Sequence, residues 1–305
     1  MSQPTLLTPR VFVPFVVATI VWGTTWLVIR DQLGVVPPTW SVAYRFAVAA
    51  LGAFAWALVS GTSLRLGREG QVFAAVYAVA LFVLNFNFVY RAEAHITSGL
   101  VAVIFALLIV PNSIFGRIFL RQPLSGRFLT GAGVAVAGVI LLIINEAERD
   151  GARGADSWLG LTLTVAGVLF ASVANVMQGS ARAKTLPIPA LLAWGMTWGT
   201  LFNALLAWTT VGPPVIEPRL TYLLGTLHLG LLASTLAFAC YFSVIRAVGP
   251  GPAAYSSVLT PVIAMILSTL FEGYRWTGLA AAGAALAFAG LVIALTARKP
   301  ATKSP

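Results

Sequence analysis

The residues able to do chemistry are few and stand inside apolar runs. Asn85 and Asn87 are two positions apart, which is ~200° around a helix, so a single cavity takes only one of them, and Asn85 is preferred. Thr235 occupies the position 150 residues further on, with Ser234 beside it. Ser172, Asn175 and Gln178 recur at i, i+3 and i+6 as one polar stripe, and Phe170 lies near the depth of Trp22. Polar side chains are costly in lipid and turn toward a bundle interior; the same stripe serves equally for hydrogen bonds between helices. Trp22, in the segment Trp22-Gly23-Thr24-Thr25-Trp26, stands about 11 residues into its run, too deep for an interfacial anchor. Its ring suits a planar or cationic solute. His228 is the better placed of two histidines for a membrane-embedded proton site, a satisfied structural histidine being the alternative. Arg45, about six residues into its run, either snorkels to the surface or pairs with a solute carboxylate.

Several chemistries are missing. No Asp or Glu falls in the middle of an apolar run, which weakens a design based on a buried proton-carrying carboxylate. The sequence has no Gly-rich phosphate loop with its Lys, no His-Glu-x-x-His pair and no nucleophile elbow. An enzyme, or direct use of ATP by this chain, is therefore not expected. With Cys240 as the single cysteine, no intrachain disulfide or cysteine metal cluster forms. Neither metal nor cofactor is expected.

The elements that must position these residues follow from composition. Of 305 residues, 59% are apolar, and Lys and Arg number 19 against 9 Asp and Glu. A soluble domain carries roughly a quarter of its residues charged, so this chain cannot build a water-facing surface. Crossing a bilayer takes ~20 apolar residues, and ten runs meet that rule, at about 11–29, 40–59, 71–90, 96–117, 127–144, 157–179, 188–208, 220–245, 252–271 and 277–297. The longest connection, Asn145 to Asp156, is acidic. The first run is longer than a signal-peptide core and lacks a small-residue cleavage site, so it reads as a retained span. Partners are then the lipid bilayer and a small-molecule substrate. Nucleic acid is not expected despite the net charge of +10, because the basic residues cap apolar runs. Placing the N-terminus in the cytoplasm puts twelve basic residues inside and six outside, with Arg45 within a span, so Lys and Arg bias sets both termini inside.

The two halves repeat. Pro111 and Pro261 lie 150 positions apart within spans four and nine, and Thr130-Gly131 through Gly138 resembles Ala282-Gly283 through Gly290 at an offset of 152. Residues 1–148 and 149–305 thus read as two five-helix repeats, and since five is odd, the second enters the membrane inverted. Inverted repeats with interrupted helices place a transporter's substrate site near the midplane. Pro111 and Pro261 are the expected structural kinks, and the small residues of spans five and ten allow close helix approach, a scaffold role. Span nine opens with Gly249-Pro250-Gly251-Pro252 and carries Tyr255, Ser256, Ser257 and Thr260 before Pro261. Those hydroxyls serve either freed backbone or a substrate.

In order and spacing, Trp22 to Trp26, Arg45-Phe46, Pro111, Gly249 to Pro261 and Glu272 to Gly290 resemble the EamA-type members of the drug/metabolite transporter superfamily, over nearly the whole chain. The resemblance implies an all-α integral membrane protein of ten helices and a secondary transporter of the bacterial inner membrane, similar to aromatic amino-acid exporters. Carried over by position, it sets Trp22, Asn85, Val110 and Phe170 on the cavity wall, and Asn175, Ser256 and Ser257 are further binding candidates. One departure is Glu272 after span nine, where the first half has Arg121-Gln122. The expected function is export of amino acids, aromatic ones preferred, by alternating access. Alternatives are export of lipophilic cations or sugar-linked metabolites, or a non-transporting scaffold. The sequence leaves the oligomeric state open, and a monomer suffices.

Overall fold

The computed structural model describes residues 8–121, 125–150, 154–248 and 256–295, and every regular element among them is a helix. The long helices are α1 (Pro9–Asp31), α2 (Pro38–Val59), α3 (Gly67–Ala92), α4 (Ser98–Leu120), α5 (Gly126–Asp150), α6 (Gly154–Gly179), α7 (Ile188–Val211), α8 (Leu220–Val244), α9 (Ser256–Phe271) and α10 (Gly278–Leu295). By length and composition seven can cross a bilayer: α1 to α4 and α6 to α8. Shorter apolar stretches, Gly126–Leu142, Leu259–Phe271 and Gly278–Gly290, lie within α5, α9 and α10. Proline in the first turn starts α1, α2 and α7, where its fixed φ is helical and its missing N–H is not needed. Gly61, Gly212 and Gly273 end α2, α7 and α9 with positive φ, a conformation that costs glycine little.

The connection expected at Asn145 to Asp156 is mostly helix, because α5 continues to Asp150 and α6 starts at Gly154. Past the apolar stretch, the backbone keeps satisfying its own hydrogen bonds whether or not its side chains meet lipid. Helix α4 is interrupted at Leu107 and Leu108. Its cause is Pro111, which lacks an N–H and whose ring crowds the carbonyl four residues earlier, that of Leu107. Pro261 sits inside continuous helix.

Wide π-helical turns interrupt α3 at Val79–Asn85 and α8 at His228–Leu236. Such turns skip one α-type hydrogen bond and re-aim side chains, frequently at functional sites. In α8 the hydroxyls of Ser234 and Thr235 donate to Leu229 and Gly230 carbonyls five residues back (2.8 and 3.3 Å). Helix α5 packs along α10 through glycines, and α2 packs along α7. A Cβ on Gly138 would lie 2.3 Å from the Ala287 nitrogen, so only a bare glycine face permits that approach. Helix α1 runs against α8 and α9, α4 against α9, and α6 against α3 and α4. These helices enclose the centre.

Candidate functional site

A cavity of about 150 Å³ lies among α1, α2, α3, α4, α6, α8 and α9, some ten times the ~10–15 Å³ that one water needs by this measure. Its aromatic wall is Trp22 and Trp26 of α1, Phe86 of α3, Phe105 of α4, and Phe238 and Tyr241 of α8. Trp22 meets Phe238 and Tyr241 edge-on, with centroids 5.4 and 4.9 Å apart. The indole N–H of Trp22 donates to the Ala233 carbonyl (3.1 Å), which fixes the ring and leaves its face as its surface toward the cavity. The polar lining is Thr25, Arg45, Asn85, Asn175, Ser256 and Thr260.

Among the described residues, Arg45 is the single charged one of that lining. It does not snorkel. Seven residues past the start of α2 and 2% exposed, it points inward; Nε donates to the Ser234 hydroxyl (3.0 Å) and the guanidinium lies 4.4 Å over the Phe86 ring. Its Nη1 has no partner. The cause is the π-turn of α8, which aims Ser234 at α2, together with an aromatic face that attracts a desolvated cation. Asn85, on the last residue of the α3 π-turn, is 3% exposed, and its Oδ1 also lacks a partner.

Other expected residues go elsewhere. Asn87 points away, donating to Val83 and to Asn203 of α7 (2.6 Å), while Asn203 donates to the Phe82 and Gly199 carbonyls. That pair staples α3 to α7. Within the α6 stripe, Asn175 lines the cavity and lies 3.5 Å from Asn112, whereas Ser172 and Gln178 do not line it. Two positions carried over by resemblance lie off the wall. Val110 follows the break in α4 and packs on the cluster of Phe128 and Ala132, and Phe170 stacks on Phe88 at 5.8 Å. Leu108, in the break between the two parts of α4, is on the wall. His228 is not on that lining either, and its Nε2 lies 3.2 Å from the Thr24 hydroxyl. Pro261 lines the cavity and Pro111 does not. The Ser257 side chain and the stretch Gly249 to Tyr255 lie outside the described residues.

Beyond Arg45, toward the ends of α1 and α3, lies a polar layer. Gln32, 1% exposed, donates to Thr226 (2.8 Å) and accepts from the Tyr90 hydroxyl (3.2 Å). Ser41 and Tyr222 share a hydrogen bond of 2.8 Å. Arg219 bridges Glu217 and Asp31, and Arg30 donates to the Glu93 backbone carbonyl. Glu93 itself is wholly buried. Burial, and next the neighbouring Glu272 carboxylate, push its carboxyl well above the usual range, against the pull of Arg30 and Arg45. Gln32 and Glu93 escaped the sequence reading because each stands just past an apolar run, where a polar residue reads as loop. Trp26, Phe105, Phe238 and Tyr241 escaped it because aromatic residues in a span look alike wherever they face.

A bundle of apolar helices around an aromatic and sparsely polar chamber is the arrangement expected of a membrane transporter. The EamA-like transporter family matches residues 12–144 and again 158–296, and the chain belongs to that family. Among its relatives, the "probable amino-acid metabolite efflux pump" of Salmonella typhimurium is 26% identical, covering 90% of this chain and 91% of the other. The "uncharacterized inner membrane transporter YedA" of Escherichia coli K12 is also 26% identical, over 83% and 80%. A solved crystal structure shares the fold at a TM-score of 0.67 and 21% identity, over 93% of this chain and 96% of that one.

Proposed function

We infer that the protein exports amino acids and similar carboxylate-bearing metabolites, aromatic ones preferred, across the bacterial cytoplasmic membrane. The carrying observation is Arg45, the only charged group among the described residues of an aromatic cavity wall, buried and with Nη1 free. A guanidinium offers a carboxylate charge-assisted hydrogen bonds in a fixed fork. Asn85 Oδ1 is an unused acceptor for the ammonium group of the same solute, and the rings of Trp22, Phe238 and Tyr241 suit a flat side chain. The printed name of the Salmonella relative, an amino-acid metabolite efflux pump, agrees with this reading.

The transport cycle is alternating access between two inverted five-helix repeats, residues 1–148 and 149–305, with both termini cytoplasmic. Three observations support this. The family matches twice in succession; the π-turns of α3 and α8 start 149 positions apart, at Val79 and His228; and the pairs α5 with α10 and α2 with α7 join equivalent helices of the two halves. The reading with lipophilic cations as cargo fares worse, since no acid stands on the wall and its one charge is positive.

Proteoliposomes containing only this protein test the proposal. Counterflow of phenylalanine or tryptophan above that of empty vesicles is expected. Uptake equal to empty vesicles across a panel of amino acids overturns the proposal, and uptake of a lipophilic cation abolished by Trp22→Ala transfers the cavity to the cation reading.

A further inference from the structure

Glu93 is an anomaly of this polar layer. It follows α3, has 0% exposure, and neither carboxylate oxygen has a hydrogen-bond partner. No described Lys or Arg forms an ion pair with it; Arg30, the nearest cation by contact, donates to the Glu93 backbone instead. A second carboxylate, Glu272, enters from the far end of α9. Ser98 donates to its Oε2 (2.7 Å), and its Oε1 is buried and unpartnered. The charged or titratable groups that face Glu93 are Glu272 after α9, Arg30 of α1, Arg45 of α2 and Tyr90 of α3.

An ionised carboxylate without a partner is not stable in such a place; a protonated one is. A buried carboxyl on which a second carboxylate acts holds a proton more readily than a lone one. We propose that Glu93, with Glu272, is a proton-binding site at the outer end of the cavity, and that holding the proton keeps that end closed. Loss of the proton sets two carboxylates against each other, Glu93 being in no ion pair with Arg30 or Arg45 to offset the repulsion, and relief comes by separating the tips of α3 and α9, which opens the cavity outward. The proton is exchanged with the water outside: it leaves to that water as the end opens and returns from it on closure. No bond other than the O–H bond of the carboxyl forms or breaks. The proposal rests on the transporter reading but needs no particular solute.

The test uses the full chain in intact cells, with Cys240→Ala as background and Ala102→Cys as reporter. Ala102 lines the cavity in the first turns of α4 and is 1% exposed. Val35→Cys, at an exposed site between α1 and α2 (65%), normalises for thiol reactivity and shows that this face is outside. A membrane-impermeant maleimide is added at external pH between about 5 and 8, without any solute. The normalised labelling of Ala102→Cys is expected to rise with pH, by up to about tenfold per unit below the midpoint, and to stay low and flat once Glu93→Gln is added. Glu272→Gln removes the facing charge and is expected to stay flat as well; it decides the matter if Glu93→Gln does not reach the membrane. Labelling of the parent that is indifferent to pH overturns the proposal, as does an undiminished pH response in both Gln variants or a response to external sodium in place of protons. Because the readout contains no substrate, failure of the export assay and failure of this one are distinguishable.

Discussion

Arg45→Met separates the role of the guanidinium from that of the side chain that carries it. Methionine keeps much of the length and flexibility, and exchanging a buried charge for an apolar group is often neutral for folding. The structure limits the collateral loss. Ser234 loses the donor at 3.0 Å but still donates to the Leu229 carbonyl at 2.8 Å, and Phe86 loses one cation–π contact at 4.4 Å. The solute loses its only cationic partner on the wall. A hydrogen bond to a charged group is worth about 1.5–3 kcal/mol, and 1.4 kcal/mol is tenfold in affinity, so carboxylate solutes should bind about 10- to 150-fold more weakly. The assay is competition with phenylalanine counterflow by unlabelled phenylalanine and by phenylalaninamide, which has the same ring and ammonium but no carboxylate. The parent should prefer the acid over the amide by a factor in that range, and Arg45→Met should lose the preference while still moving the amide. If the variant retains the parent's full preference, the carboxylate binds elsewhere and the reasoning about Arg45 fails.

Further outcomes follow from packing and charge. Gly290→Ala should destabilise the protein by about 1–3 kcal/mol through overpacking, because the new Cβ would lie 2.2 Å from the Ala135 nitrogen and 2.6 Å from the Gly131 carbonyl. Gly133→Ala on α5, with nothing within 4 Å, should be neutral or stabilising by up to about 1 kcal/mol; thermal melts in detergent compare the two, and equal melting temperatures would contradict the packing. The raised carboxyl of Glu93 gives stability a sign with pH. The folded protein holds a proton that the unfolded chain releases, so the contribution is complete below the ordinary value of 4.5 and is lost as pH climbs through the elevated folded value. Melting temperature should therefore fall with rising pH over that window, and Glu93→Gln should flatten the slope.

Much of the frame was legible in the sequence because bilayer crossing is a one-dimensional requirement: enough apolar residues in a row, with their charges gathered at the ends. Each of the ten expected runs coincides with a helix, although only seven of those helices are long and apolar enough to cross unaided. The order and spacing of Trp22 to Trp26, Arg45-Phe46 and the two prolines were enough to suggest the family.

Helix facing and depth were not legible in the same way, because they depend on rotation about each axis and on partners distant in sequence. Asn85 and Asn87 have the same side chain two residues apart, yet one opens on the cavity and the other is tied to Asn203, 116 positions away. Arg45 was compatible with surface or core until the α8 π-turn supplied Ser234, 189 positions distant. Near the break of α4 before Pro111, Leu108 stands on the wall and Val110 does not. Glu93 read as a loop acid because a local pattern reports only its own strip of chain. Packing of α1, α2 and α9 around it removed it from water, and burial, unlike hydropathy, is a property of all the neighbours at once.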